Sequence, residues 1–207
     1  MHRKGISDDT LSEKVMWLCK EIDSRGIKIA RRQSDSSISI SNTLALMSDI
    51  VEKSKKNMFE VQVSLEQESF VKLFLMTFYR NSLTHIFWEE SLVMLALTSF
   101  GHDKIITKTV PVDQLYQQTK FLAGLLVKEF ILRHNIQHQQ RFDDILKLME
   151  SKKFIIIEDG YIMLGSEGQP NGNLFMLYSS LIWPIIECYW ITCLYFFKLK
   201  NQKPIPM

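Results

Sequence analysis

The sequence predicts a mainly α fold: a helical region with short strands and a winged-helix-like helix–hairpin unit. Three observations carry this. Apolar residues recur at helical spacing in several separate segments. The stretch from Phe70 to Phe100 is dense in large apolar side chains over a length that only a helical region accommodates. Asp159-Gly160 lies between two apolar, β-branched runs, the strongest short-range signal of a tight hairpin. The 207 residues are 46% hydrophobic and 23% charged with net charge +2, enough for one good core or two small ones. A charge so near balance argues against nucleic-acid binding. The expected division is a helical region with short strands over 1–104, the winged-helix-like unit over 105–165, and a loop with a long aromatic helix over 166–207.

In chain order, Thr10 and Glu13 match a capping box, and Asp8 and Asp9 favour the positive end of the helix it opens. Leu11, Val15, Leu18 and Ile22 give that helix one buried face, and Arg25-Gly26 ends it. Ile27 and Ile29 flank Lys28 as a short strand. Ser34 to Ser41 reads as a loop, Thr43 to Val51 as a short helix, and Lys53 to Asn57 as a polar connector. Phe59, Val61, Val63 and Leu65 alternate with polar residues, the pattern of a half-exposed strand. From Glu66 the long helical stretch follows. It carries Tyr79, Arg80, Asn81, His85, Glu89 and Glu90 among its apolar residues, and burying such groups without partners is costly. Two helices with a polar joint, or a helix end packed on another body, would meet that cost.

Gly101-His102-Asp103 breaks the stretch, and Pro111 suits the first turn of the next helix. Leu115, Leu122, Leu125, Leu126 and Phe130 form its apolar stripe. Phe142, Ile145, Leu146 and Met149 mark a further short amphipathic helix ahead of the hairpin. The last element, Leu174 to Phe197, is long enough to cross a bilayer of about 30 Å. Glu187 and Pro184 near its middle argue instead for a buried or membrane-facing aromatic helix.

Residue chemistry identifies no reaction centre. A Gly-rich phosphate loop, a nucleophile elbow and a zinc-protease motif are all missing from the sequence. Cys19, Cys188 and Cys193 are too few and too scattered for a zinc site or disulfide framework, and read as buried free thiols. His85 and Glu89 stand one helical turn apart, but two ligands do not make a metal site. His138 and Asp143, in His-Gln-Gln-Arg-Phe-Asp, have the His-x-x-x-x-Asp spacing of acyltransferase dyads, in which the Asp orients a basic His. No phosphate-binding block follows, so the spacing reads as coincidence. The N-terminal residues lack the apolar core of a signal peptide, and the final Pro-Ile-Pro-Met is no Ser-Lys-Leu type peroxisomal signal.

Phe78-Tyr79-Arg80-Asn81-Ser82-Leu83-Thr84-His85-Ile86-Phe87, followed by Glu90-Ser91-Leu92-Val93, resembles a segment of the glycerol-3-phosphate and dihydroxyacetone phosphate acyltransferases. Leu11 to Leu18 resembles an N-terminal helix of the same region. Trp17-Leu18 and Trp183-Pro184-Ile185-Ile186-Glu187-Cys188-Tyr189 are more similar to the dihydroxyacetone phosphate branch. The resemblance covers Leu11 to Phe197 and implies the C-terminal region of such an enzyme. The catalytic dyad and phosphate-binding block would then lie upstream, so it implies no catalytic, cofactor or metal residue in this chain. It further implies acyl-CoA as substrate of the parent enzyme, an N-terminal acyltransferase domain and a membrane surface as partners, and membrane-associated, peroxisomal ether-lipid synthesis. A stand-alone protein- or membrane-docking module without activity is the other expectation.

Overall fold

The computed structural model describes residues 6–28, 36–48, 51–53, 58–61, 67–101, 110–129, 139–169 and 172–200. The chain divides into two compact units, Met1–Arg80 and Asn81–Met207.

The first unit opens with β1 (Ile6–Ser7) and α1 (Asp8–Asp23), followed by α2 (Ser36–Leu46), β2 (Val51–Lys53) and β3 (Met58–Val61). The strands form an antiparallel sheet in the order β1-β3-β2, with Ile6 opposite Phe59 and Val51 opposite Val61. The helix cap lies three residues earlier than the capping-box pattern indicates. Ser7 is the N-cap, and its hydroxyl accepts the Thr10 backbone N–H at 3.3 Å. Asp8 and Asp9 still occupy the first turn, where the helix dipole favours them. Ile22 is buried as expected, and Arg25 closes the helix by donating to the Glu21 carbonyl at 2.7 Å and carboxylate at 2.9 Å.

Further expectations in this unit are corrected. Ser36–Ser41 is helical, forming the first half of α2, and Val51 belongs to a strand rather than to the end of that helix. Serine costs a helix only a few tenths of a kcal/mol (~0.5 relative to alanine), which packing of α2 on α1 readily offsets. Of the expected Ile27–Ile29 strand, Ile27 and Lys28 belong to no strand, and Ile29 lies outside the described residues. Val63 and Leu65, expected to extend β3, also lie outside them.

The Phe70–Phe100 stretch is not two helices. It is one unbroken helix, α3 (Gln67–Thr98, 32 residues), with its first half in the first unit and its second half in the other. No break is needed because Tyr79, Asn81 and His85 are exposed on the helix flank and keep their hydration. Val71, Phe74, Leu75 and Phe78, at helical spacing, are exposed beside them. From Phe87 to Leu97 the helix is buried except at the half-buried Glu89.

In the second unit, β4 (Val110–Pro111) leads into α4 (Val112–Leu126), α5 (Gln139–Ser151), β5 (Ile155–Glu158), β6 (Tyr161–Leu164) and α6 (Asn173–Lys200). The sheet order is β4-β6-β5, all antiparallel, so the hairpin returns to pair with the strand ahead of the two helices. Two helices followed by a hairpin are the winged-helix-like unit expected from the sequence; β4 was not expected, and Pro111 is the N-cap of α4 rather than part of its first turn. Asp159 (φ 52°) and Gly160 (φ 78°) both take left-handed backbone, as a two-residue type I′ turn requires, and the Val112 N–H donates to the Gly160 carbonyl at 3.0 Å. Gly168 has a different constraint: a Cβ there would stand 2.1 Å from the Phe154 carbonyl oxygen.

The core of this unit joins every element. Phe142, Ile145, Leu146 and Met149 are buried on α5, and Leu115, Leu122 and Leu126 on α4. Leu125, expected in the α4 stripe, faces solvent, and Ala123 and Thr119 occupy the buried face instead. Phe130, also expected there, lies outside the described residues. Tyr178 of α6 packs edge-on against Phe154 (centroids 5.2 Å apart) and tilted against Phe87 of α3 (6.3 Å). Each such pair contributes about 1 kcal/mol beyond the area it buries.

The environment of α6 changes along its length. Leu174, Tyr178, Leu181 and Ile182 are buried, whereas every residue from Trp190 to Lys200 is exposed. The helix continues through Pro184.

Candidate functional site

The polar cluster on α3 is where the sequence concentrates chemistry. Helical periodicity separates its members. Tyr79, Asn81 and His85 face solvent, Arg80 and Glu89 are half-buried, and Glu90 is 3% exposed. Burial holds the Arg80 guanidinium below its ordinary value, because removing water penalises the charged form.

Glu89 is engaged from another element. Arg141 of α5 donates its Nε–H to Glu89 Oε1 at 2.9 Å and its Nη2–H to Oε2, a two-point pair between residues 52 positions apart. That hydrogen bond raises the Arg141 guanidinium above its ordinary value. Burial opposes the rise, and the charges of Glu89, Asp144 and Glu90 add to it. Glu89 is paired with Arg141, and among the described residues no hydrogen bond joins it to His85.

Arg141 sits inside the His138–Asp143 spacing. His138 lies outside the described residues, and Asp143 accepts from Gln139 Nε2 at 2.9 Å within its own helix. Sequence reasoning missed Arg141 as the partner of the α3 cluster. Its one signal was an arginine among polar residues at the start of an amphipathic helix, which names no partner.

Two neighbouring cavities lie in the second unit. One of about 230 Å³ is lined by Ser91, Met94, Tyr178 and Ser179, and one of about 310 Å³ by Ser99, Leu122 and Ile186. Leu95, Thr98 and Trp183 border both. Their walls are apolar apart from a few hydroxyls. Those of Thr98 and Ser179 donate to the Leu95 and Met176 carbonyls, whereas the fully buried Ser91 hydroxyl has no hydrogen-bond partner among the described residues.

Among the described residues, no group of three or more His, Cys, Asp or Glu side chains is placed to hold a metal. The three cysteines are free thiols. Cys19 is half-buried, but Cys188 and Cys193 are exposed on α6, contrary to the expectation that all were buried. The arrangement can hold helices together and enclose apolar groups; the described residues bring no general base and orienting acid together.

The whole chain, residues 1–207, matches the family described as the glycerol-3-phosphate acyltransferase C-terminal region. No curated protein matches it. The mainly α architecture is the one predicted from helical periodicity, the family is the one resembled by the Phe78–Phe87 and Trp183–Tyr189 motifs, and the chain belongs to the glycerol-3-phosphate acyltransferase C-terminal region family.

Proposed function

We propose that this chain is the non-catalytic C-terminal region of an acyltransferase that moves an acyl group from acyl-CoA to the free hydroxyl of dihydroxyacetone phosphate. Alone it is inactive. The observation that carries this reading is the family match over residues 1–207 to a C-terminal region. Preference for dihydroxyacetone phosphate over glycerol 3-phosphate rests on Trp17-Leu18 and Trp183–Tyr189. That branch implies ether-lipid synthesis at a peroxisomal membrane.

The region's role is to pack on the acyltransferase domain and support it. The exposed apolar row Val71, Phe74, Leu75 and Phe78, with Tyr79 beside it, supports a protein-docking surface on α3. The purified chain is expected to transfer no acyl group from palmitoyl-CoA to either acceptor above the no-protein rate. Added to the separately expressed N-terminal acyltransferase domain, it is expected to restore turnover. Turnover by the chain alone that disappears in His138→Ala would overturn the reading.

A further inference from the structure

The second half of α6 has an unusual combination of composition and environment. Trp190, Ile191, Leu194, Tyr195, Phe196 and Phe197 are all exposed, by between 51% and 66%. At ~100° per residue they fall on every side of the helix rather than along one stripe. A helix that docks in a protein groove needs one apolar face. A helix that is apolar on all sides needs an apolar medium on all sides.

The polar groups of this segment fit such a medium. Trp183 donates its indole N–H to Glu187 at 2.8 Å, Thr192 donates to the Cys188 carbonyl at 2.8 Å, and the Tyr189 hydroxyl donates to Glu129. Thr192 therefore enters an apolar phase with its hydrogen bond already made, which lowers the cost of leaving water, while Glu187 and Tyr189 are engaged ahead of the continuously exposed turns. Lys198 and Lys200 follow the aromatic run, with stems long enough to carry their charges back to anionic headgroups.

Length decides the mode. The whole 28-residue helix passes the length and hydropathy test for a membrane span. Its first half, however, is fixed in the protein core by Leu174, Tyr178, Leu181 and Ile182. From Trp183 to Phe197 the remaining rise is roughly 21 Å at ~1.5 Å per residue, short of the ~30 Å hydrocarbon core.

We propose that α6 is a one-leaflet anchor. Its Trp190–Phe197 turns are immersed in a single leaflet without crossing, and Lys198 and Lys200 return to the headgroups of that same leaflet. This rests on the membrane association proposed above, but not on the catalytic assignment.

The test uses the full chain with phosphatidylcholine vesicles, with and without phosphatidylserine. Flotation with the vesicles is expected, stronger with phosphatidylserine. Trp190→Glu/Phe197→Glu is expected to weaken it by about tenfold or more while the melting temperature and helical circular dichroism stay as in the parent. Lipids brominated near the headgroup are expected to quench Trp190 more than lipids brominated near the chain end, with the difference from Trp190→Phe isolating its signal. Failure to float would overturn membrane association and the anchor together. Flotation with strongest quenching from the chain ends would overturn the one-leaflet mode alone, as would flotation unchanged by the double substitution.

Discussion

Arg141 reaches 52 positions back along the chain to grip both carboxylate oxygens of Glu89, fastening the start of α5 to the buried half of α3. The two-point geometry suits a guanidinium, because an ammonium has no rigid planar pair of parallel N–H donors on separate nitrogens. The Arg141 side chain is 38% exposed and Glu89 16%, so solvent screens much of the attraction. A double-mutant cycle of Arg141→Ala and Glu89→Ala is expected to give a coupling of about 1 kcal/mol. Arg141→Lys is expected to lose most of it in urea-unfolding measurements.

Ser91 and Thr119 are fully buried with hydroxyls that find no partner among the described residues. An unmet buried hydroxyl carries a desolvation cost that an apolar replacement of the same shape removes. Thr119→Val is therefore expected to stabilise the chain by about 1 kcal/mol, and Ser91→Ala by a similar or smaller amount because it also widens the adjoining cavity. Both changes are read as upward shifts of the melting temperature.

Gly160 and Gly168 resist substitution for different reasons. A Cβ at Gly160 meets nothing within 4 Å, so Gly160→Ala pays only for left-handed backbone, about 1 kcal/mol. At Gly168 the added carbon collides with the Phe154 carbonyl, and the loop after the hairpin must move. Gly168→Ala is expected to destabilise by roughly 3 kcal/mol or more. The ordering of the two in denaturant unfolding separates the causes.

Arg80 lies at the boundary of the two units, partly desolvated. In a full-length parent enzyme, Arg80→Ala is expected to lower the melting temperature while leaving kcat within about twofold, since a group that does not touch the reacting atoms leaves the chemical step alone. A large fall in kcat with unchanged stability would assign Arg80 to the reaction.

What could be read in advance follows the range of the interactions. The α5 stripe and the Asp159-Gly160 turn were legible because each is set by residues a few positions apart. The Ser36–Ser41 half of α2 was not, because serine has no strong local preference and the packing of α2 on α1 is non-local. The polar joint expected in α3 failed for a similar reason. Polar side chains on an exposed flank look in sequence like a break, and the partner that satisfies Glu89 is in another helix. At the candidate site, the family was legible from motifs in order, whereas the role of Arg141 was hidden inside a spacing that resembles a catalytic dyad.

The passage of α6 from burial at Ile182 to continuous exposure beyond Tyr189 separates two kinds of selection on one continuous helix. Changes between Leu174 and Ile182 are tested against folding. Changes between Trp190 and Phe197 are free of that test and answer only to whatever surrounds them. Related chains can therefore retune their affinity for a surface by substitutions in the distal turns alone, keeping the helix–hairpin core intact.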